Sequence, residues 1–131
     1  MMRKPSFLSV NVKNSTSAAA PVSASITSSI VGIRAVVGED VVLDQALVMG
    51  ADYYEDDEDR AYDWQMGIPN VGIGKGSVVR KAIVDKNAHI GRNVRILNEA
   101  GTQEFDGDGY YIRDGIVIVP KDGVLPDDTV V

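Results

Sequence analysis

The sequence has no cysteine, which excludes disulfides, thiolate metal sites and a cysteine nucleophile. Aromatic residues are few and there is a single histidine, His89. A zinc site would therefore have to be completed by carboxylates alone, which is an improbable donor set. With so few aromatics, a core must be built from valine, isoleucine and alanine. No apolar run approaches the roughly 18 residues of a membrane span. The N-terminus, MMRKPSFLSV, carries two bases but neither the apolar segment nor the cleavage pattern of a secretory signal. No membrane contact is expected, and the length of 131 residues suits one domain.

Charge is unevenly spread. The formal net charge is −6, and residues 52–63 alone hold seven acids (Asp52, Glu55, Asp56, Asp57, Glu58, Asp59, Asp63) against Arg60, so the rest of the chain is neutral. General nucleic-acid binding is not indicated. The acidic run reads as a solvated loop. It is not a calcium loop, because it has no mid-loop glycine and no glutamate closing a 12-residue pattern.

What the chain does contain is a six-residue period. Val31, Val37, Leu43 and Met49 are six apart, with Ala35, Val41 and Leu47 four residues after the first three. Gly32, Gly38, Asp44 and Gly50 follow directly. The pattern returns at Val78, Val84, Ile90 and Ile96, with Ala82, Ala88 and Val94, and again at Val119, Leu125 and Val131. This is neither the helical period nor a sustained strand alternation. A six-residue unit buries nothing alone, but it fits one flat face of a coil whose stacked turns enclose a narrow aliphatic prism. Gly, Asp and Asn suit the corners, since they tolerate unusual backbone angles. The expected fold is mainly β, a parallel β-helix of the hexapeptide type, left-handed as such solenoids usually are. Residues 1–25 read as degenerate first rungs or a linker, and 26–131 as the β-helix, interrupted by loops near 50–70 and 98–114. Within the first interruption, DRAYDWQMG suits a short helix ending near Gly67 and packed on the prism through Trp64.

Basic residues gather where acids do not. Lys75, Arg80, Lys81, Lys86, Arg92 and Arg95 face only Asp85 within residues 75–95. Arg80, Lys86 and Arg92 are six apart and so ring the prism as a belt rather than stack in a column. The belt reads either as ordinary solvated bases or as an anion site, because Lys and Arg pair well with phosphate and carboxylate. The alternating glycines of VGIGKGS (71–77) match no phosphate-binding motif. His89 raises the acyltransferase reading, since many hexapeptide helices use a histidine base; as one histidine on a corner it reads more simply as a surface residue.

Specific words then carry a resemblance. SSIVGIRAVVGEDVVLDQALVMGADYYE (28–55), VGIGKGSVVRKAIVDKNAHIGRNVRILN (71–98) and GYYIRDGIVIVPKDGVLPDDTVV (109–131) together resemble, in order, the C-terminal domain of the ADP-glucose pyrophosphorylases of the cyanobacterial and plant type. The resemblance implies a regulatory and oligomerisation domain. The parent enzyme makes ADP-glucose and pyrophosphate from ATP and glucose 1-phosphate, with Mg2+, for glycogen or starch synthesis. Its catalytic nucleotidyltransferase domain is not visible in these residues, so the chain alone is expected to be inactive and to need no cofactor of its own. The implied partners are that catalytic domain, the other subunits of a homo- or heterotetramer, and a phosphorylated sugar-acid effector or phosphate. The implied location is a bacterial cytoplasm or a plastid.

The family's two activator lysines fall on Lys86, in IVDKNA, and Lys121, in VPKDGVLP. Arg80, Lys81 and Arg92 are the basic residues placed to support them. Two positions depart from the family pattern: Pro120 stands where an aliphatic residue is usual, and His89 where arginine is. The alternative is a stand-alone hexapeptide β-helix, either acyltransferase-like through His89 or purely structural.

Overall fold

The computed structural model describes residues 24–131 and, as backbone, the strand β1 (Val10–Val12). In chain order there follow β2 (Ser25–Thr27), β3 (Ile30–Val31), β4 (Ala35–Val37), β5 (Val42–Val48), the helix α1 (Asp57–Gln65), β6 (Gly72–Ile73) and β7 (Val78–Val84). The chain closes with β8 (His89–Ile90), β9 (Arg95–Ile96), β10 (Glu104–Asp106), β11 (Tyr111–Arg113), β12 (Ile116–Val119) and β13 (Val124–Leu125).

Short strands alternate with corners held by single residues of positive φ. Asp40, Asn87, Asn93, Asn98, Asp122 and Asp128 serve here with φ between 47° and 65°, as their short polar side chains allow. Ser28, Arg34, Gln45 and Lys81 do the same, at a local cost of about 1 kcal/mol each. Gly32 and Gly38, which the repeat suggested as corners, lie two residues before them. A Cβ at Gly32 would meet the Met49 carbonyl oxygen at 2.4 Å, and one at Gly38 the Lys75 nitrogen at 2.7 Å. These glycines admit the backbone of the next rung.

Three corners per turn give three faces. On the first, β2 pairs with the start of β5, β5 with β7, and β7 with β9, all parallel. On the second, β3 pairs with the end of β5, which pairs with the end of β7, and that with β12. The third stacks β1, β4, β6, β8 and β13. This is the expected parallel β-helix. Val10–Val12 pairs with Ala35–Val37 as a strand of an earlier rung; the rest of residues 1–23 lies outside the described residues.

The prism is filled by small aliphatics. Val31, Val37, Leu43, Val79, Val94, Ile96, Val117, Val119 and Leu125 are fully buried, each stabilising the fold by about 1.5–3 kcal/mol relative to exposure. Leu47, Met49 and Val78 correct the six-residue reading. Corners fall at 34, 40, 45 and 50, and again at 76, 81, 87, 93 and 98, so the spacing shortens from six to five around the first face. That slip turns Ala46, Val48 and Val79 inward and leaves Leu47 and Met49 exposed.

One excursion lies between β5 and β6 and a second between β9 and β12. The second contains β10 and β11, an antiparallel hairpin that adds to β12. It extends the second face with antiparallel strands, which covers the open edge of the last rung. In the first, α1 begins at the capping box of Asp56 and Asp59, each side chain accepting the other's backbone N–H. Trp64 does not pack α1 onto the prism: it is 86% exposed, and Asp63 is the helical residue that turns inward.

Candidate functional site

The corner after the second face positions the two candidate lysines. Val84 pairs with Val119, so Lys86 and Lys121 have the same offset on adjacent rungs, separated along the axis by the ~4.8 Å of strand pairing. The excursion at 98–114 absorbs the residues that would otherwise have added another turn between them. The Asp122 N–H donates to the Lys86 carbonyl at 3.0 Å, and the Asp85 N–H to that of Val119 at 2.9 Å. Pro120 is tolerated because its equivalents, Met49 and Asp85, spend their N–H on the following rung, whereas β12 belongs to the last rung and a proline there forfeits no ladder bond.

Two ammonium groups stacked this way repel, and a third residue offsets the repulsion. Asp52, at the start of the first excursion, places Oδ1 3.2 Å from Lys86 Nζ and Oδ2 3.6 Å from Lys121 Nζ. Buried Asn87 aims it: the Asn87 Nδ2 donates to Asp52 Oδ2 at 3.1 Å, and the Asp52 N–H donates to Asn87 Oδ1 at 2.9 Å. The hydrogen bond from Lys86, that from Asn87 and the nearby Lys121 charge hold the Asp52 carboxyl below the usual carboxylate range. Arg34 fixes the same stretch, its Nε donating to the Ala51 carbonyl at 2.9 Å. All three charged side chains remain solvent-accessible.

The supporting bases do not join this corner. Arg80 and Lys81 lie midway along β7, where Arg80 pairs with Asp44 at 3.3 Å. Arg92 stands on a third corner, 3.8 Å from Asp127. It borders, with Lys75 and exposed Trp64, an open groove of about 850 Å³ over the third face. Lys75, Arg80 and Arg92 each face an acid of a neighbouring rung, so the belt is partly compensated.

His89 occupies a different setting. Its ring is covered by the first excursion, with Nδ1 2.6 Å from the Pro69 carbonyl and 3.6 Å from Asp63 Oδ2. A bond that short to a carbonyl requires the proton on Nδ1, so this nitrogen is not a metal ligand or a free base in this arrangement, although Glu55, Asp63 and His89 offer three ligand atoms within 4.8 Å of one another. Burial first, then a hydrogen bond with Asp63, raises the Glu55 carboxyl to about 7, while Glu55 also accepts the Val71 N–H at 2.9 Å. The group is a latch that ties the excursion to the third face. The acidic run is therefore only partly a solvated loop: Asp52, Glu55, Asp56, Asp59 and Asp63 each hold a defined contact. Sequence reasoning missed Asp52 and Asn87. The available signal was their separation of 35 residues, which equals that of Lys86 and Lys121.

The model of the GLGC left-handed parallel beta-helix domain matches residues 6–130. The chain belongs to that family. Its β-helix is accordingly left-handed. The chain is also 45% identical over 108 residues to the wheat (Triticum aestivum) protein named glucose-1-phosphate adenylyltransferase small subunit, chloroplastic/amyloplastic. That alignment covers 81% of this chain and 23% of the relative, so the chain spans about a quarter of the relative's length. The GLGC-type β-helix thus accounts for the fold, and the stand-alone acyltransferase alternative is not favoured.

Proposed function

We propose that this β-helix is the regulatory and oligomerisation part of a glucose-1-phosphate adenylyltransferase, and that Lys86 and Lys121 bind an anionic effector for it. The observation that carries the reading is the convergence of these two lysines, 35 residues apart, on one carboxylate at one solvent-accessible corner. Each lysine supplies a point charge and three donors to a phosphate or carboxylate. The activity belongs to the nucleotidyltransferase domain, with Mg2+ acting there and no cofactor assigned to the β-helix. The effector is a phosphorylated sugar acid such as 3-phosphoglycerate, with inorganic phosphate as its competitor. Arg80, Lys81 and Arg92 contribute only to the surrounding field.

Assembly has its own support. Ile30, Leu47, Ile83, Ile118 and Tyr111 are in register along the outside of the second face, and Ile30, Leu47 and Tyr111 are exposed. Such a contiguous apolar ladder marks a surface covered by another domain or subunit, here the nucleotidyltransferase domain or a second protomer of a homo- or heterotetramer. No helix of the described residues is long and apolar enough to cross a membrane, and the wheat relative's location fits a plastid, with a bacterial cytoplasm as the other setting.

The test is to combine the chain with a separately supplied nucleotidyltransferase domain and follow ADP-glucose formation. Association and a rate increase with 3-phosphoglycerate are expected, the increase being lost on Lys86→Glu with Lys121→Glu. Absence of both association and any effect on the rate would contradict the reading.

A further inference from the structure

The two-lysine corner is already occupied by part of the protein itself. Asp52 contacts both ammonium groups through different oxygens, at 3.2 and 3.6 Å. It does not drift there by chance. Its backbone N–H and one carboxylate oxygen are gripped by Asn87, a residue only 5% exposed, and the preceding carbonyl is held by Arg34. The carboxylate is thus presented in place, and most of the ordering cost of the contact has been met by the fold.

We propose that Asp52 is a built-in occupant of this anion site that restricts it to ligands carrying about two negative charges. This rests on the reading of Lys86 and Lys121 as an effector site. With one carboxylate contacting two ammonium groups, the contacts themselves leave one ammonium charge unmatched, and the neighbouring Asp85 and Asp122 carboxylates weaken the local field further. A monoanion, such as a simple carboxylate or chloride, would exchange one unit of negative charge for another and gain little. Inorganic phosphate or a phosphate monoester carries about −1.5 to −2 near pH 7 and three acceptor oxygens. Such a ligand can satisfy both lysines at once, leaving Asp52, 42% exposed, to rotate into water. The Asp85 carboxylate does not compete, because it accepts the Lys86 backbone N–H at 2.7 Å.

Calorimetric titration of the 131-residue chain with inorganic phosphate, and separately with acetate at matched ionic strength, tests this. The proteins are the natural chain, Asp52→Asn, Asp52→Ala and Lys86→Gln. The asparagine variant keeps an oxygen for the Asn87 amide, and circular dichroism of both Asp52 variants checks the fold. Exposed ion pairs are individually weak, so removing this pair of contacts should tighten phosphate about three- to tenfold and bring acetate binding into the measurable range. Phosphate binding that needs Lys86 but is unchanged or weaker in both Asp52 variants would overturn the role of Asp52 and leave the two-lysine site standing. No Lys86-dependent phosphate binding in any of the proteins would overturn both.

Discussion

Replacing Asn87 by alanine should be among the most damaging changes to the site that leave its charges in place. The side chain is 5% exposed and makes two hydrogen bonds to Asp52, one of them to a carboxylate oxygen. The residue also turns its corner at φ 61°. Losing the two bonds costs about 1–3 kcal/mol, because the Asp52 N–H is left without its partner. Holding alanine in the left-handed region adds about 1 kcal/mol. The sum is about 2–4 kcal/mol, which lowers Tm by roughly 10 °C in a domain of this size. Asn87→Gly separates the two causes, since glycine loses the same bonds but adopts the corner freely. It should melt about 3–5 °C above the alanine variant. Thermal denaturation followed by circular dichroism gives both numbers. Equal melting temperatures for alanine and glycine, or a loss below about 0.5 kcal/mol in both, would refute the reasoning.

Other outcomes follow from the same contacts. Glu55 has a folded-state pKa of about 7 against an ordinary value of 4.5. Its stabilising contribution is therefore complete below the lower value and is lost as pH rises through the higher one. Tm should fall as pH rises from about 4.5 to about 7, and Glu55→Gln should flatten that dependence; an unchanged slope would remove the latch. Leu43→Ala, at a site with no exposure, should cost about 3–5 kcal/mol, whereas Trp64→Ala at 86% exposure should stay within about 0.5 kcal/mol; urea denaturation compares the two. Ser77→Ala should cost about 1–3 kcal/mol, because the buried hydroxyl both donates to the Gly91 carbonyl and accepts the Val94 N–H.

The architecture was legible because its physics is local and repeated. Small aliphatics at a six-residue spacing have few other uses, and Asp or Asn corners reinforce the period. Legibility failed where a corner came one residue early. Nothing in VVLDQALV announces that Gln45 takes positive φ, so the six-residue period places Leu47 and Met49 inside, whereas the structure exposes them. Trp64 departs from its expected place for a related reason. A large aromatic suggests a core, but the helix turns Asp63 inward to meet His89 and Glu55. The candidate site was half visible. Lys86 and Lys121 came through resemblance, and composition offered only a basic belt. Asp52 and Asn87 were hidden because their roles depend on which rung lies beside which, and the two excursions disguise that register.

The most direct test of the central claim is to observe the two lysines themselves. Their side-chain Nζ or Cε resonances can be assigned with Lys86→Arg and Lys121→Arg variants and followed by NMR during titration with inorganic phosphate. A single anion site predicts that both signals shift with one common midpoint, while Lys75 and Lys81 show only the gradual drift of ionic strength. Separate midpoints, or no movement beyond that drift, would contradict the account of Lys86 and Lys121 as one site.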